Sequence, residues 1–480
     1  MPTPADNRGE NTVYQSLQTD FSGSNEEPLF ANDDFVLNGT VLVQYRGRRE
    51  HIIIPSNLGI TEIADGAFGS SEIISIAIPE GVEKIGRSFE DCYSLTTVRL
   101  PSTLRSIGDS AFSYSSLTGI NIPEGVTSIG DWAFHGCGNL KDIIIPTGVT
   151  SIGECTFFGC KSLASITIPI VVTSIGGHAF LECISLSSVT IPPSVTRIGE
   201  AAFIWSGLTS ITIPGGVTSI ENNTFQECRS LTSVTIPSSV TSIGRAAFSE
   251  CSSLTSISIP ASVTLIRGAA FSGCTSLIEI AVDPANTAYT SNGGIVFNKS
   301  GTTLAIYPAG RQDLEYTIPA GVTVIGSFAF YGCSGITSVT IPSGVLSIEN
   351  SAFAECGGLT NINIPSSVTS IGWYAFFMCG ALTNITIPAS VTSIGESAFY
   401  GCGSLASITI QSGVTSIKNN AFSRCTSLTS ITIPSSVTSI GDYAFFGCTN
   451  LRTVTLSRNT RVSRYAFSGR VELVYSDWRK

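Results

Sequence analysis

Residues 434–456 read PSSVTSIGDYAFFGCTNLRTVTL, and residues 237–259 read PSSVTSIGRAAFSECSSLTSISI. The two strings differ mainly at positions flanking a shared Ala-Phe pair. Nearly the same string recurs from Pro55 onward, with the consensus P-x-x-V-T-S-I-G-x-x-A-F-x-x-C-x-x-L-T-S-I-T-I. Self-similarity at a fixed period is the signature of a solenoid. Ten units precede Asp283 and six run from Pro319 to Leu456, giving about 16 units of ~23 residues. The Phe position is filled in all sixteen and in a degenerate closing unit, from Phe68 to Phe467. The Cys position is filled in thirteen, from Cys92 to Cys448, and only Cys155 lies outside it.

Within a unit, L-x-x-I-x-I alternates apolar and polar residues, the pattern of a half-buried strand. Pro then ends the strand, because it has no N–H to donate to a ladder. V-T-S-I alternates again, and Gly allows a turn. Phe, Cys and Leu follow at steps of three. That spacing predicts a short helical or 3₁₀ turn opposite the strands, with one inward face. One unit cannot bury its own apolar side, but stacked units cover each other. The expected fold is a β-rich solenoid of stacked coils. At about 4.8 Å per strand it spans roughly 75–80 Å. The slot thiols are expected to be buried and reduced, behaving as small hydrophobes.

Around this array we expect a flexible polar tail at 1–30 and an N-terminal opening unit or cap at 31–54. Ten repeats at 55–282, a hairpin-like insertion at 283–318, six repeats at 319–456 and a C-terminal cap at 457–480 follow. In the insertion, Gly294–Asn298 and Thr303–Tyr307 read as β runs joined by Lys299-Ser300-Gly301-Thr302. It reads as a decorated rung that keeps the stack continuous, or as a binding loop offering Tyr289, Tyr307 and Tyr316.

Twenty-five Lys and Arg stand against 35 Asp and Glu, for a net charge of −10. That balance argues against nucleic acid and against a polybasic membrane contact. No apolar run is long enough for a transmembrane helix. The N-terminus lacks the pattern of a secretory leader. The three histidines, His51, His135 and His178, fall at different positions of different units. No Gly-Lys-Ser/Thr phosphate loop and no Cys-x-x-Cys pair occur. We therefore expect no catalytic residue, no cofactor and no metal.

Two surfaces compete for a partner. One is the strand face, a ladder of Thr and Ser such as Thr232, Ser233, Thr255 and Ser256, which lacks aromatic anchors. The other is the variable pair on each side of Ala-Phe. It carries Asp131, Trp132, His135 and Trp205, then Phe328 and Tyr331. Further on come Trp373, Tyr374, Phe377, Tyr400, Tyr443 and Phe446. These last six and Tyr331 are the expected partner-binding stripe.

The repeated string resembles the BspA-like class of leucine-rich repeats, found in surface antigens of oral and gut bacteria and of parasitic protists. The resemblance covers about 52–467. It extends to the opening stretch L-N-G-T-V-L-V-Q-Y-R-G and to N-T-A-Y-T-S-N-G-G-I-V-F-N-K-S-G-T-T-L-A-I-Y-P in the insertion. It implies a right-handed solenoid without enzymatic activity. The implied role is adhesion to a protein or glycan ligand, at the cell surface or after secretion. The alternative is an intracellular interaction scaffold with reduced, buried cysteines.

Overall fold

In the computed structural model, residues 32–469 and 471–476 are described. The predicted tail at 1–30 lies outside them. Each repeat folds as one coil, and most contribute two short strands to two parallel ribbons. In the first ribbon Ser151–Ile152 pairs with Ser174–Ile175. In the second, Asp142–Ile144 pairs with Ser165–Thr167. The register is one repeat length, so equivalent residues stack. An opening coil, the sixteen repeats, a coil inside the insertion and a closing coil give about nineteen turns.

The inward set follows the consensus. Val437, Ile440, Ala444, Phe445, Cys448, Leu451, Val454 and Leu456 of one unit are all buried. The Phe rings stack in a column with centroids 4.8–5.7 Å apart and planes mostly within 20°. Parallel rings at this spacing fit the offset geometry that aromatic quadrupoles favour. Tyr45 takes the Phe position in the opening coil, 5.3 Å from Phe68.

All fourteen cysteines are free and buried. Each of the thirteen slot thiols donates to the carbonyl of the Phe-slot residue one coil earlier, at 3.0–3.8 Å. Where a repeat lacks the slot Cys, a serine stands three residues after Phe. Ser71, Ser115 and Ser206 each meet the thiol of the next coil. The slot therefore selects a small side chain with a weak donor, and sulfur supplies it with little polar cost.

The segment around Phe is not helical. Among the described residues the only helical pieces are short 3₁₀ turns at Asn32–Asp34 and Ser56–Leu58. Instead, three tight turns follow one another, as in His135 N to Trp132 O, Cys137 N to Phe134 O and Leu140 N to Cys137 O. Phe, Cys and Leu sit at their corners and point inward, which is why their three-residue spacing imitates a helix. The residues two before and two after Phe take left-handed backbone angles, for example Tyr374 at φ 57° and Met378 at φ 57°. That conformation costs an L residue roughly 1–2 kcal/mol. It aims alternate amides at the next coil: Trp132, Phe134 and Gly136 donate to Glu154, Thr156 and Phe158 at 2.7–3.0 Å. The turn edge is a third hydrogen-bonded ladder, and those bonds offset the strain.

The insertion forms an antiparallel meander of Tyr289–Asn292, Ile295–Asn298 and Thr303–Ile306. Its last strand pairs in parallel with Val324–Ile325 and restarts the first ribbon. Tyr307 then enters the ring column, buried and 4.8 Å from Phe330. Tyr316 packs against Tyr307 at 5.0 Å, and the Tyr289 hydroxyl accepts the Ile266 amide at 3.0 Å. Tyr307 is buried, whereas Tyr289 and Tyr316 are half-buried, each engaged with a neighbouring residue.

Candidate turn-edge recognition surface

The backbone ladder turns the neighbours of Phe outward. At the left-handed position two before Phe stand Trp132, Tyr374 and Tyr443; directly after Phe stand Tyr331, Phe377, Tyr400 and Phe446. Trp373 is 61% exposed, Tyr374 41%, Tyr443 42% and Phe446 46%. Phe377, Tyr400 and Tyr331 are half-buried.

These residues form a lane rather than separate points. Tyr374 meets Phe377 edge-on at 5.6 Å, and Phe377 stacks on Tyr400 at 5.2 Å. The Arg424 guanidinium lies over the Tyr400 ring, 5.6 Å from its centroid. Its stem crosses the coil that separates the two aromatic groups and rests on Gly447, a glycine at positive φ. Beyond it Tyr443 packs on Phe446 at 5.7 Å and on Tyr465 at 5.7 Å. Sequence reasoning found the aromatics but missed Arg424 and Tyr465. The signal was positional, since both fall on the same edge one coil from a chosen residue.

Tyr331 stands apart from this lane. Its hydroxyl donates to Glu355 at 2.8 Å, its ring packs near Phe328, and burial pushes its pKa up.

The amino-terminal half carries a second aromatic group on the same edge. His135 touches Tyr114, Trp132 and Phe158 at ring separations of 4.6–4.8 Å, and Tyr93 meets Tyr114 at 6.5 Å. Burial lowers the His135 pKa, so its neutral form is favoured. Tyr93, Tyr114 and Phe158 were not singled out from sequence.

Part of the competing hydroxyl face is engaged with itself. Thr232 donates to the Thr209 carbonyl at 2.9 Å, and Thr360 to that of Thr337 at 3.1 Å. A second row repeats this along V-T-S-I, as in Thr415 to Thr392 at 3.0 Å. The neighbouring Ser233, Thr255 and Ser256 are exposed.

As for metal-ligating types, the three histidines do keep apart. However, His178 falls one repeat length after Cys155, at the same position of the coil. These two residues and Glu154 converge.

The sequence model of the BspA type Leucine rich repeat region matches residues 48–140, 87–207, 196–308, 312–429 and 347–474. The chain belongs to this family. Comparison with curated proteins gives no match. Among solved structures, a leucine-rich repeat protein from Eubacterium ventriosum is 29% identical, covering 65% of this chain and 83% of that one, with a TM-score of 0.48. A leucine rich cell surface protein from Faecalibacterium prausnitzii is 26% identical, covering 95% and 97%, with a TM-score of 0.44. The pneumococcal vaccine antigen PcpA is 17% identical, covering 94% and 98%, with a TM-score of 0.47. In this BspA-type repeat, invariance inside the chain marks the core, and variation around Ala-Phe marks the surface each coil presents. No helix among the described residues is long and apolar enough to cross a membrane.

Proposed function

We propose that this leucine-rich repeat scaffold is a non-enzymatic recognition protein that binds a protein ligand through its turn edge. The resemblance to surface antigens points that binding toward adhesion. The observation that carries the reading is the lane from Tyr374 to Tyr465, with exposed Trp373 beside it. Exposed Trp and Tyr with a bridging Arg are the residue types that dominate interface energetics. They sit on a rigid edge, so little conformational entropy is lost on contact. Equivalent coils would add avidity where a ligand repeats.

A photo-crosslinking residue at Trp373 should capture a purified protein ligand, whereas one at Thr383 on the hydroxyl ladder should not. Replacing Trp373, Tyr374 and Phe377 together with Ala should leave far-ultraviolet circular dichroism unchanged and weaken binding. Unchanged binding would move the contact elsewhere. Binding to free glycans alone would make the ligand a sugar stacked on the same rings.

A second reading, an intracellular interaction scaffold, is favoured by the fourteen free thiols. Disulfides are rare in reducing compartments, where such thiols persist. Biotinylation of intact cells separates the two: labelling supports adhesion, and protection supports the intracellular role.

A further inference from the structure

Cys155 breaks the rule that the other thirteen thiols obey. They donate to a Phe-slot carbonyl, whereas the Cys155 thiol has no hydrogen-bond partner among the described residues, although the residue is only 3% exposed. It sits two residues before Phe157, on the turn edge, with φ 52°. His178 takes the same position on the next coil with φ 56°. The two coils are locked there by the Cys155 amide, which donates to Gly177 O at 2.9 Å. His51 and His135 have serine partners, while the His178 ring has none among the described residues. Glu154, exposed and adjacent, completes the group. One ligand atom from each of the three lies within 4.8 Å of the others. Asp131 adds a further negative charge beside them. Its Oδ1 accepts the Glu154 amide at 2.7 Å, which fixes that carboxylate next to the thiol.

We propose that Glu154, Cys155 and His178 form a site for a zinc-like divalent cation that bridges two neighbouring coils. Thiolate, imidazole and carboxylate are the donors zinc takes, whereas calcium and magnesium require oxygen alone. Zinc bonds of about 2.0–2.3 Å place tetrahedral ligand atoms roughly 3.5 Å apart. Glu154 is exposed and His178 half-buried, so small rotamer changes close the gap. The thiol releases its proton to solvent as the metal–sulfur bond forms. Three protein ligands leave a fourth position for water or for a side chain of a bound partner.

The test uses the untagged full chain with Co²⁺ alone as the probe. One equivalent should produce a thiolate-to-cobalt charge-transfer band that one equivalent of Zn²⁺ abolishes. Cys155→Ser and His178→Ala should each lose the band. Both should fold, because Ser110, Ser351 and Ser397, and Ala201, Ala246 and Ala269, occupy the same position elsewhere. Cys402→Ser, which alters a slot thiol, should keep it. No band in the natural chain, or a band that survives Cys155→Ser, would overturn the site.

Discussion

Two hairpins start a stack in this molecule, and they share one design. Residues 35–45 read FVLNGTVLVQY; residues 295–307 read IVFNKSGTTLAIY. In the first, Val36 pairs with Gln44 and Leu37 with Leu42, with a register shift between them. In the second, Val296 pairs with Ile306 and Phe297 with Leu304, with the same shift. Leu42 then pairs with Ile63, and Leu304 with Ile325, in parallel. Tyr45 and Tyr307 begin the two ring columns.

What differs is the neighbour. Behind the second hairpin lies the finished end of an earlier stack, and the junction is incomplete. Ala246, Phe248 and Glu250 donate to Gly268, Ala270 and Ser272. One coil on, Ala269, Phe271 and Gly273 donate to no carbonyl among the described residues. No ring pair among those residues joins Phe271 to Tyr307. A cavity of about 320 Å³ opens there, lined by Arg267, Phe271, Tyr289, Tyr307, Phe328 and Glu349 among others. The buried side chains divide into two cores at this point. The insertion thus restarts the solenoid as much as it decorates it. A stack is only as continuous as the backbone ladder between coils.

Alkali should produce the largest effect, and it should act on both stacks. Burial pushes Cys137, Cys228 and Cys274 in the first, and Cys402 in the second, from 9.0 up to about 12. The folded thiols hold their protons while the unfolded ones release them. Stability is therefore whole below pH 9, falls as pH rises, and this contribution is gone above about 12. The slope approaches 1.4 kcal/mol per thiol per pH unit at about pH 10–11. Denaturant midpoints from pH 7 to 11 measure it; a flat profile would mean the slot thiols are not enclosed.

Single ring deletions come next. Phe157→Ala and Phe399→Ala should each cost about 3–5 kcal/mol. If the junction separates two cooperative units, each should lower only its own unfolding transition in calorimetry. Equal shifts of one shared transition would break the comparison. Leu42→Ala and Leu304→Ala should cost about 2–5 kcal/mol, confined to the first and second stacks respectively.

The smallest expected difference distinguishes the hairpins. The Tyr307 hydroxyl donates to Asp313 at 2.6 Å, and Arg311 Nε donates to the same oxygen at 2.7 Å. That hydrogen-bonded carboxylate is held below the usual range. Tyr307→Phe should cost about 1–2 kcal/mol. Tyr45→Phe should cost less, because among the described residues the Tyr45 hydroxyl accepts a longer contact, 3.4 Å from the Arg49 amide. Denaturant titration of both variants checks the order.

The coil, its inward residues and the ring column were legible because one short string repeats the same burial pattern sixteen times. The turn edge was misread as helical. Its bonds run from coil to coil, so no local period reveals them, and glycine marks only some of its left-handed positions, such as Gly136 and Gly447, while others hold residues such as Ser351, Glu355 and Tyr374. The aromatic lane was legible as a set of residues but not as a path, since Arg424 joins its parts only across coils. Cys155 and His178 were separable by type and were related only by counting one repeat length.

Hydrogen exchange read by mass spectrometry at single-amide resolution tests the two-stack account most directly. The amides of Ala246, Phe248 and Glu250 should exchange only with opening of their whole stack, while Ala269, Phe271 and Gly273 exchange far faster. Equal protection of the two triplets would show one unbroken ladder and contradict the account.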